Sequence, residues 1–200
     1  MFQKPLENKK VAILATDGFE HSELFEPKEA LEKAGAEVKI VSHKKGSIRA
    51  WKETNWGKKI EVDFTVNEAK AEMFDALMIP GGVMNPDQLR TESEVVEFVK
   101  DFATAGKPIA AICHAPSLLI EAHIVRGRKM TSWPSLKTDL INAGAEWLDE
   151  EVVVDRGLVT SRKPADIPAF NKKMIEEFAE GRHSPMKISQ DSQPSKNLSH

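Results

Sequence analysis

The sequence predicts an α/β protein: a three-layer sandwich with a mostly parallel sheet and helices on both faces. Three observations carry this. Continuous apolar runs recur at 11–15 (VAILA), 76–79 (ALMI) and 108–112 (PIAAI), the mark of strands buried on both faces. Amphipathic stretches at helical spacing alternate with these runs. The first strand, helix and second strand form a unit of about 30 residues, the size of a parallel, right-handed crossover. A chain of 200 residues suits one such domain. It is placed at 1–180, followed by a polar tail at 181–200 that reads as flexible or as docking on a partner.

In chain order, the 11–15 strand is broken by Thr16-Asp17-Gly18. A helix over 22–34 follows, with Leu24, Phe25, Ala30, Leu31 and Ala34 inward and Gly35 as its stop. The second strand is 37–42 (EVKIVS). Residues 46–64 alternate differently and predict a small exposed hairpin turning at Asn55-Trp56-Gly57. A short helix over 67–73 leads to the 76–79 strand, which ends in Pro80-Gly81-Gly82. A helical turn is expected at 86–90, and a clear amphipathic helix at 92–105 with Val95, Val96, Phe98, Val99 and Phe102 inward. After the 108–112 strand come a helix over 116–122, a weak strand over 129–132 and a helix over 135–143. Residues 152–155 and 158–161 flank Arg156-Gly157 like a tight hairpin, and the last helix runs over 166–180.

Composition narrows the function. With 40% hydrophobic and 30% charged residues and a net charge of −3, the chain lacks the basic footprint of a nucleic-acid binder. No apolar run approaches the roughly 20 residues of a membrane helix, and the first ten residues have no signal-peptide core. One cysteine leaves no intrachain disulfide, so a reducing, cytoplasmic setting is expected. His21, His43, His123, His183 and His200 have no metal-ligand spacing, and neither GxGxxG nor GxxxxGK occurs. The expectation is therefore no metal and no cofactor. Trp51, Trp56, Trp133 and Trp147 read as packing or interface residues.

That single cysteine, Cys113, stands where the 108–112 strand meets the next helix. A side chain on such a tight turn is lifted clear of its strand and faces free helix N–H groups, which favour a thiolate. A lone cysteine at a strand end is otherwise a small core residue. Ligands in parallel sheets bind at the carboxyl ends of the strands. Three segments lie at those ends: 17–20, 80–87 and Cys113-His114. Their convergence makes Cys113 a candidate nucleophile. Glu20 is the candidate carboxyl partner of its sulfur, and Glu23 reads better as a helix-start acid favoured by the dipole. Gly82 N–H and His114 N–H are candidate oxyanion donors. His114 is the candidate base and needs an orienting group, for which Asp87 is the nearest acid in these loops and need not come from the same chain.

The stretches VAILATDGFEHSEL, FDALMIPGG, NPDQLR, GKPIAAICHAP, NAGAEW and EVVVDRGLVTSRKPAD, in this order and spacing, resemble the PfpI family of the class I glutamine amidotransferase-like superfamily. The resemblance spans residue 10 to about 180 and implies a flavodoxin-like sandwich. It implies Cys113 as nucleophile, Glu20 as partner of its sulfur, His114 as the histidine after the cysteine, and Gly82 and His114 as oxyanion donors. It also implies Asp87 as an acid contributed across the interface of a homodimer or homohexamer. Relatives carry peptidase, glyoxalase or deglycase activities, and many are stress-response proteins. The sequence departs from the family at Ala115, where relatives carry glycine, and at Trp133, where they often carry Tyr or His. Arg162 matches a family position and is either an anion contact or surface charge.

Two enzyme readings follow. In the first and preferred one, Cys113 attacks a small reactive aldehyde or a glycated amine; in the second it attacks a peptide carbonyl. A non-enzymatic peroxide sensor or chaperone would need Cys113 and Glu20 but not His114 or Asp87.

Overall fold

The computed structural model describes residues 4–189. Its central sheet has seven strands: β1 (Lys10–Leu14), β3 (Glu37–Ser42), β6 (Phe64–Thr65), β7 (Ala76–Ile79), β8 (Ile109–Ile112), β11 (Val152–Asp155) and β12 (Leu158–Ser161). Their spatial order is β11-β12-β8-β7-β1-β3-β6. Every neighbouring pair is parallel except the β11–β12 hairpin at one edge.

The apolar runs work as two alternating sets. Val11, Ile13, Ala76, Met78, Ala110 and Ile112 point into one half of the core; Ala12, Leu14, Leu77, Ile79, Ile109 and Ala111 point into the other. Helices α1 (His21–Lys33) and α6 (Ile167–Glu180) cover the first face through Leu24, Leu31, Phe170 and Phe178. The second face is covered by α3 (Ser93–Thr104) and α4 (Pro116–Glu121), through Val95, Phe98, Phe102 and Leu118. Shorter helices α2 (Met84–Leu89) and α5 (Lys137–Asn142) follow the loops after Ile79 and after Met130. This is the flavodoxin-like arrangement of helices on both faces.

A second sheet joins β2 (Phe19–Glu20), β4 (Ser47–Lys52) and β5 (Asn55–Glu61), and β9 (Lys129–Met130) pairs with β10 (Glu146–Trp147). The hairpin turns earlier than predicted. Glu53 takes φ 54° and supplies the turn, while Asn55, Trp56 and Gly57 lie in β5. The Trp51–Trp56 pair sets this register, with the rings edge to face at 5.4 Å. The helix predicted over 67–73 is only a 3₁₀ turn, Ala71–Met73.

The polar tail is not loose over its first part. His183 N–H donates to Gly106 O (2.8 Å), and Met186 N–H donates to Ala103 O (2.9 Å). Met186 is fully packed into the core beside α3. Met186 and Ile188 in an otherwise polar stretch make no helical or strand period over any length, so pattern reading misses the docking. Residues 190–200 of the predicted tail lie outside the described residues. Among the described residues no helix is long and apolar enough to cross a membrane.

Candidate active site

Cys113 is the residue after β8, and its backbone takes φ 65°, a left-handed conformation that costs a non-glycine residue roughly 1–2 kcal/mol. The turn is held on both sides. Cys113 N–H donates to Ser161 O (3.0 Å), and Cys113 O accepts from Trp133 N–H (2.8 Å). The strained backbone turns the thiol off the strand toward the β7 loop and α1, where it is 6% exposed.

The carboxyl group facing that sulfur belongs to Glu23, not to Glu20. Glu20 is the N-cap of α1: its carboxylate accepts from Glu23 N–H (2.8 Å) and from the Ser22 hydroxyl. Capping turns it onto its own helix start. Glu23, one turn further on, points into the core with no exposed surface. It hydrogen-bonds the Cys113 side chain, and its Oε2 accepts from Gly81 N–H (2.9 Å). Both acids fit a helix start, and only the packing of α1 against the β7 loop distinguishes them.

Burial pushes the Glu23 carboxyl up to about 8, and the nearby charge of Glu20 adds to this. Glu23 is therefore protonated at neutral pH. Burial also pushes the Cys113 thiol up, and an ionised Glu23 would push it further; the Gly82 and His114 N–H groups act in the opposite direction. With Glu23 neutral that repulsion is absent, while burial and the hydrogen bond to Glu23 still hold the thiol protonated against the pull of the two N–H groups.

Gly81 is required by space. A Cβ there would lie 2.5 Å from Glu23 Oε2, 2.6 Å from Cys113 Cβ and 2.7 Å from Ile112 O. Gly82, at φ 83°, aims its N–H at the sulfur. Asn85, fully buried, ties the loops together and was not singled out from the sequence. Its Oδ1 accepts from Thr16 N–H (2.7 Å) and its Nδ2 donates to Pro80 O (2.8 Å). Its only sequence signal is its place in the NPDQLR stretch.

His114 Nδ1 lies 3.3 Å from Cys113 Sγ, so the adjacent pair does meet. Its Nε2 is 3.4 Å from Ser135 Oγ, and its ring stacks on Trp133 with centroids 6.0 Å apart. Burial lowers its pKa, which keeps the imidazole neutral and able to take a proton. Asp87 is exposed on α2, with no hydrogen bond or ion pair among the described residues. Within one chain, Ser135 rather than Asp87 occupies the far ring nitrogen.

Ala115 is accommodated without strain. Its backbone is right-handed (φ −55°) and its methyl is buried in the α3–α4 half of the core. Arg162 is fully engaged by Asp166 (2.9 and 3.1 Å) and Asp149 (2.8 Å), so it pins the β12–α6 connection rather than offering an anion contact. For a metal, one trio among the described residues brings ligand atoms within 4.8 Å of one another: Glu177, Glu180 and His183 at the end of α6. The His183 ring already lies 3.2 Å from Glu177 Oε2.

Residues 9–177 match the DJ-1/PfpI family. The chain is 45% identical over 173 residues to the protein named protein/nucleic acid deglycase 2 of Escherichia coli, covering 84% of this chain and 96% of that one. It is 45% identical over 168 residues to general stress protein 18 of Bacillus subtilis, covering 84% of this chain and 96% of the relative. Among solved structures, Drosophila melanogaster DJ-1beta superposes with a TM-score of 0.78 at 28% identity, covering 86% of this chain and 90% of that one.

Proposed function

We propose that this chain, which belongs to the DJ-1/PfpI family, is a cysteine enzyme of the stress response that acts on small reactive aldehydes or the glycated amines they form. One observation carries the reading. The Cys113 sulfur, on a strained turn, faces two backbone N–H donors and a buried glutamate that keeps its proton up to about pH 8. The name deglycase borne by the Escherichia coli relative supports the same chemistry. A thiol only 6% exposed suits a small carbonyl better than a peptide chain.

The chemistry balances without cofactor. With methylglyoxal, Sγ bonds to the aldehyde carbon, and the developing oxyanion sits before the Gly82 and His114 N–H groups before taking a proton. His114 removes the C1 proton, and the neighbouring keto oxygen is protonated, giving an enediol. Protonation at C2 and loss of the C1 hydroxyl proton give a thioester. Water cleaves it to lactate and restores the thiol. The sum is one water added to the ketoaldehyde. His114 is oriented by Trp133 and Ser135 within the chain, and Asp87 from a second copy in a homodimer or homohexamer is the further acid this reading adds.

Lactate formation from methylglyoxal tests it. Cys113→Ser should lose at least about a thousandfold, and His114→Ala about a hundredfold. Full activity in Cys113→Ser removes the nucleophile. A wild type that cleaves peptides but forms no lactate replaces this reading with a peptidase. A wild type that turns over neither, with Cys113 oxidised by stoichiometric peroxide, replaces it with a sensor.

A further inference from the structure

The pair of strands that carries the cysteine site also carries a cationic cavity at its other end. Arg156 and Gly157 form the turn before β12, and Gly157 O accepts from Ile109 N–H at the first residue of β8 (2.9 Å). The cavity here is about 440 Å³ and is lined by Arg126, Arg128, Arg156, His183 and Lys187. It therefore opens at the amino ends of the strands, the sheet edge opposite Cys113.

Its charges are poorly neutralised. Arg156 is paired with Asp155 (2.8 Å), and His183 lies beside Glu177 (3.2 Å). Arg126, Arg128 and Lys187 have no ion-pair partner among the described residues. Arg128 is only 5% exposed, and its Nη1 donates to two backbone carbonyls, Asp155 O (2.6 Å) and Arg156 O (3.1 Å). Burial weighs against its charged form, Asp155 supports it and Arg156 adds repulsion. A guanidinium cannot shed its proton, so a buried one lacking a bonded carboxylate is costly. An anion in the cavity would supply the missing charge.

The two walls have separate origins. Arg126, Arg128 and Arg156 lie inside the family region, which ends at residue 177; His183 and Lys187 lie beyond it. The second wall is nonetheless fixed in place, through the His183 and Met186 backbone bonds and the burial of Met186.

We propose that this cavity is a binding site for a small polyvalent phosphate-type anion. Arginine forks match phosphate oxygens in pairs, and the volume is in the range of small-ligand pockets, roughly 300–1,000 Å³. Among the described residues no Phe, Trp or Tyr lines it, and the charged groups outnumber the one ring, His183, so recognition runs mainly through charge.

The test is titration calorimetry of the full chain with inorganic pyrophosphate at low salt, with citrate as a second probe. Saturable binding should appear and weaken about tenfold or more in Arg126→Ala and in Lys187→Ala. It should be unchanged in Lys33→Ala, an exposed cation on α1 that is not among the residues lining the cavity. Absence of saturable pyrophosphate binding by the wild type overturns the proposal. So does equal weakening by Lys33→Ala, which would mean diffuse charge attraction. Citrate bound as tightly as pyrophosphate overturns the phosphate class. Because the readout is binding, it is independent of whether Cys113 turns over an aldehyde.

Discussion

The two ends of β8 and β12 carry buried ionisable groups of opposite sign, and the fold meets their desolvation differently. At the carboxyl end, Glu23 keeps a proton and so avoids a buried charge, leaving the Gly82 and His114 N–H groups for the sulfur. At the amino end, Arg128 has no such escape and leans on two carbonyls. An acid or thiol can trade charge for a proton, which makes the cysteine end tunable by pH. A guanidinium cannot, which makes the other end a fixed positive site.

The largest way to break this comparison is pH. In the folded state the Glu23 carboxyl is raised to about 8 from 4.5. The native state therefore binds the extra proton, and the stability it contributes is fully present below about pH 4.5. That stability is lost as pH rises through about 8. The shift corresponds to roughly 5 kcal/mol. Urea denaturation from pH 5 to pH 8 should show the wild type falling by several kcal/mol relative to Glu23→Gln. Parallel curves would mean that Glu23 is ionised throughout. Arg128 should add no slope in this window.

Next is the room at the cysteine end. Gly81→Ala places a methyl against Glu23, Cys113 and the Ile112 carbonyl, all closer than 3 Å. It should cost about 1–3 kcal/mol in chemical denaturation and impair turnover further by shifting the sulfur. A variant as stable and active as wild type would show that the cradle adapts to the added methyl. The smallest effect concerns the amino end. Met186→Ala empties a buried site under the 183–187 wall and should cost about 2 kcal/mol, with the 183–189 amides losing hydrogen-exchange protection. Unchanged protection would show that the backbone bonds alone hold the segment.

Much of the site was legible because its needs are local. A cysteine ending an apolar run, paired glycines ending another and a histidine next to the cysteine all announce themselves in short stretches. The β11–β12 hairpin falls at residues 152–155 and 158–161, as its turn chemistry predicts. Glu20 against Glu23 was not legible. Both are acids at the start of one helix, and the capping preference that explains either says nothing about which faces a distant turn. The docked segment was hidden for a related reason: Met186 and Ile188 are too few to set a pattern, and only packing beside α3 decides that Met186 is buried and Ile188 is not.

By itself, then, the sequence determined the alternation of buried strands and covering helices, and the placement of Cys113, His114 and Gly82 at one sheet edge. Periodicity and turn geometry act over a few residues and are written in them. Tertiary structure decided which glutamate loses its water and meets the sulfur, and that Asn85 joins the loops. It also decided that residues beyond the family region complete a cavity of arginines. These depend on how separate segments pack, and the resulting burial is what sets the Glu23 proton and leaves the Arg128 charge unpaired.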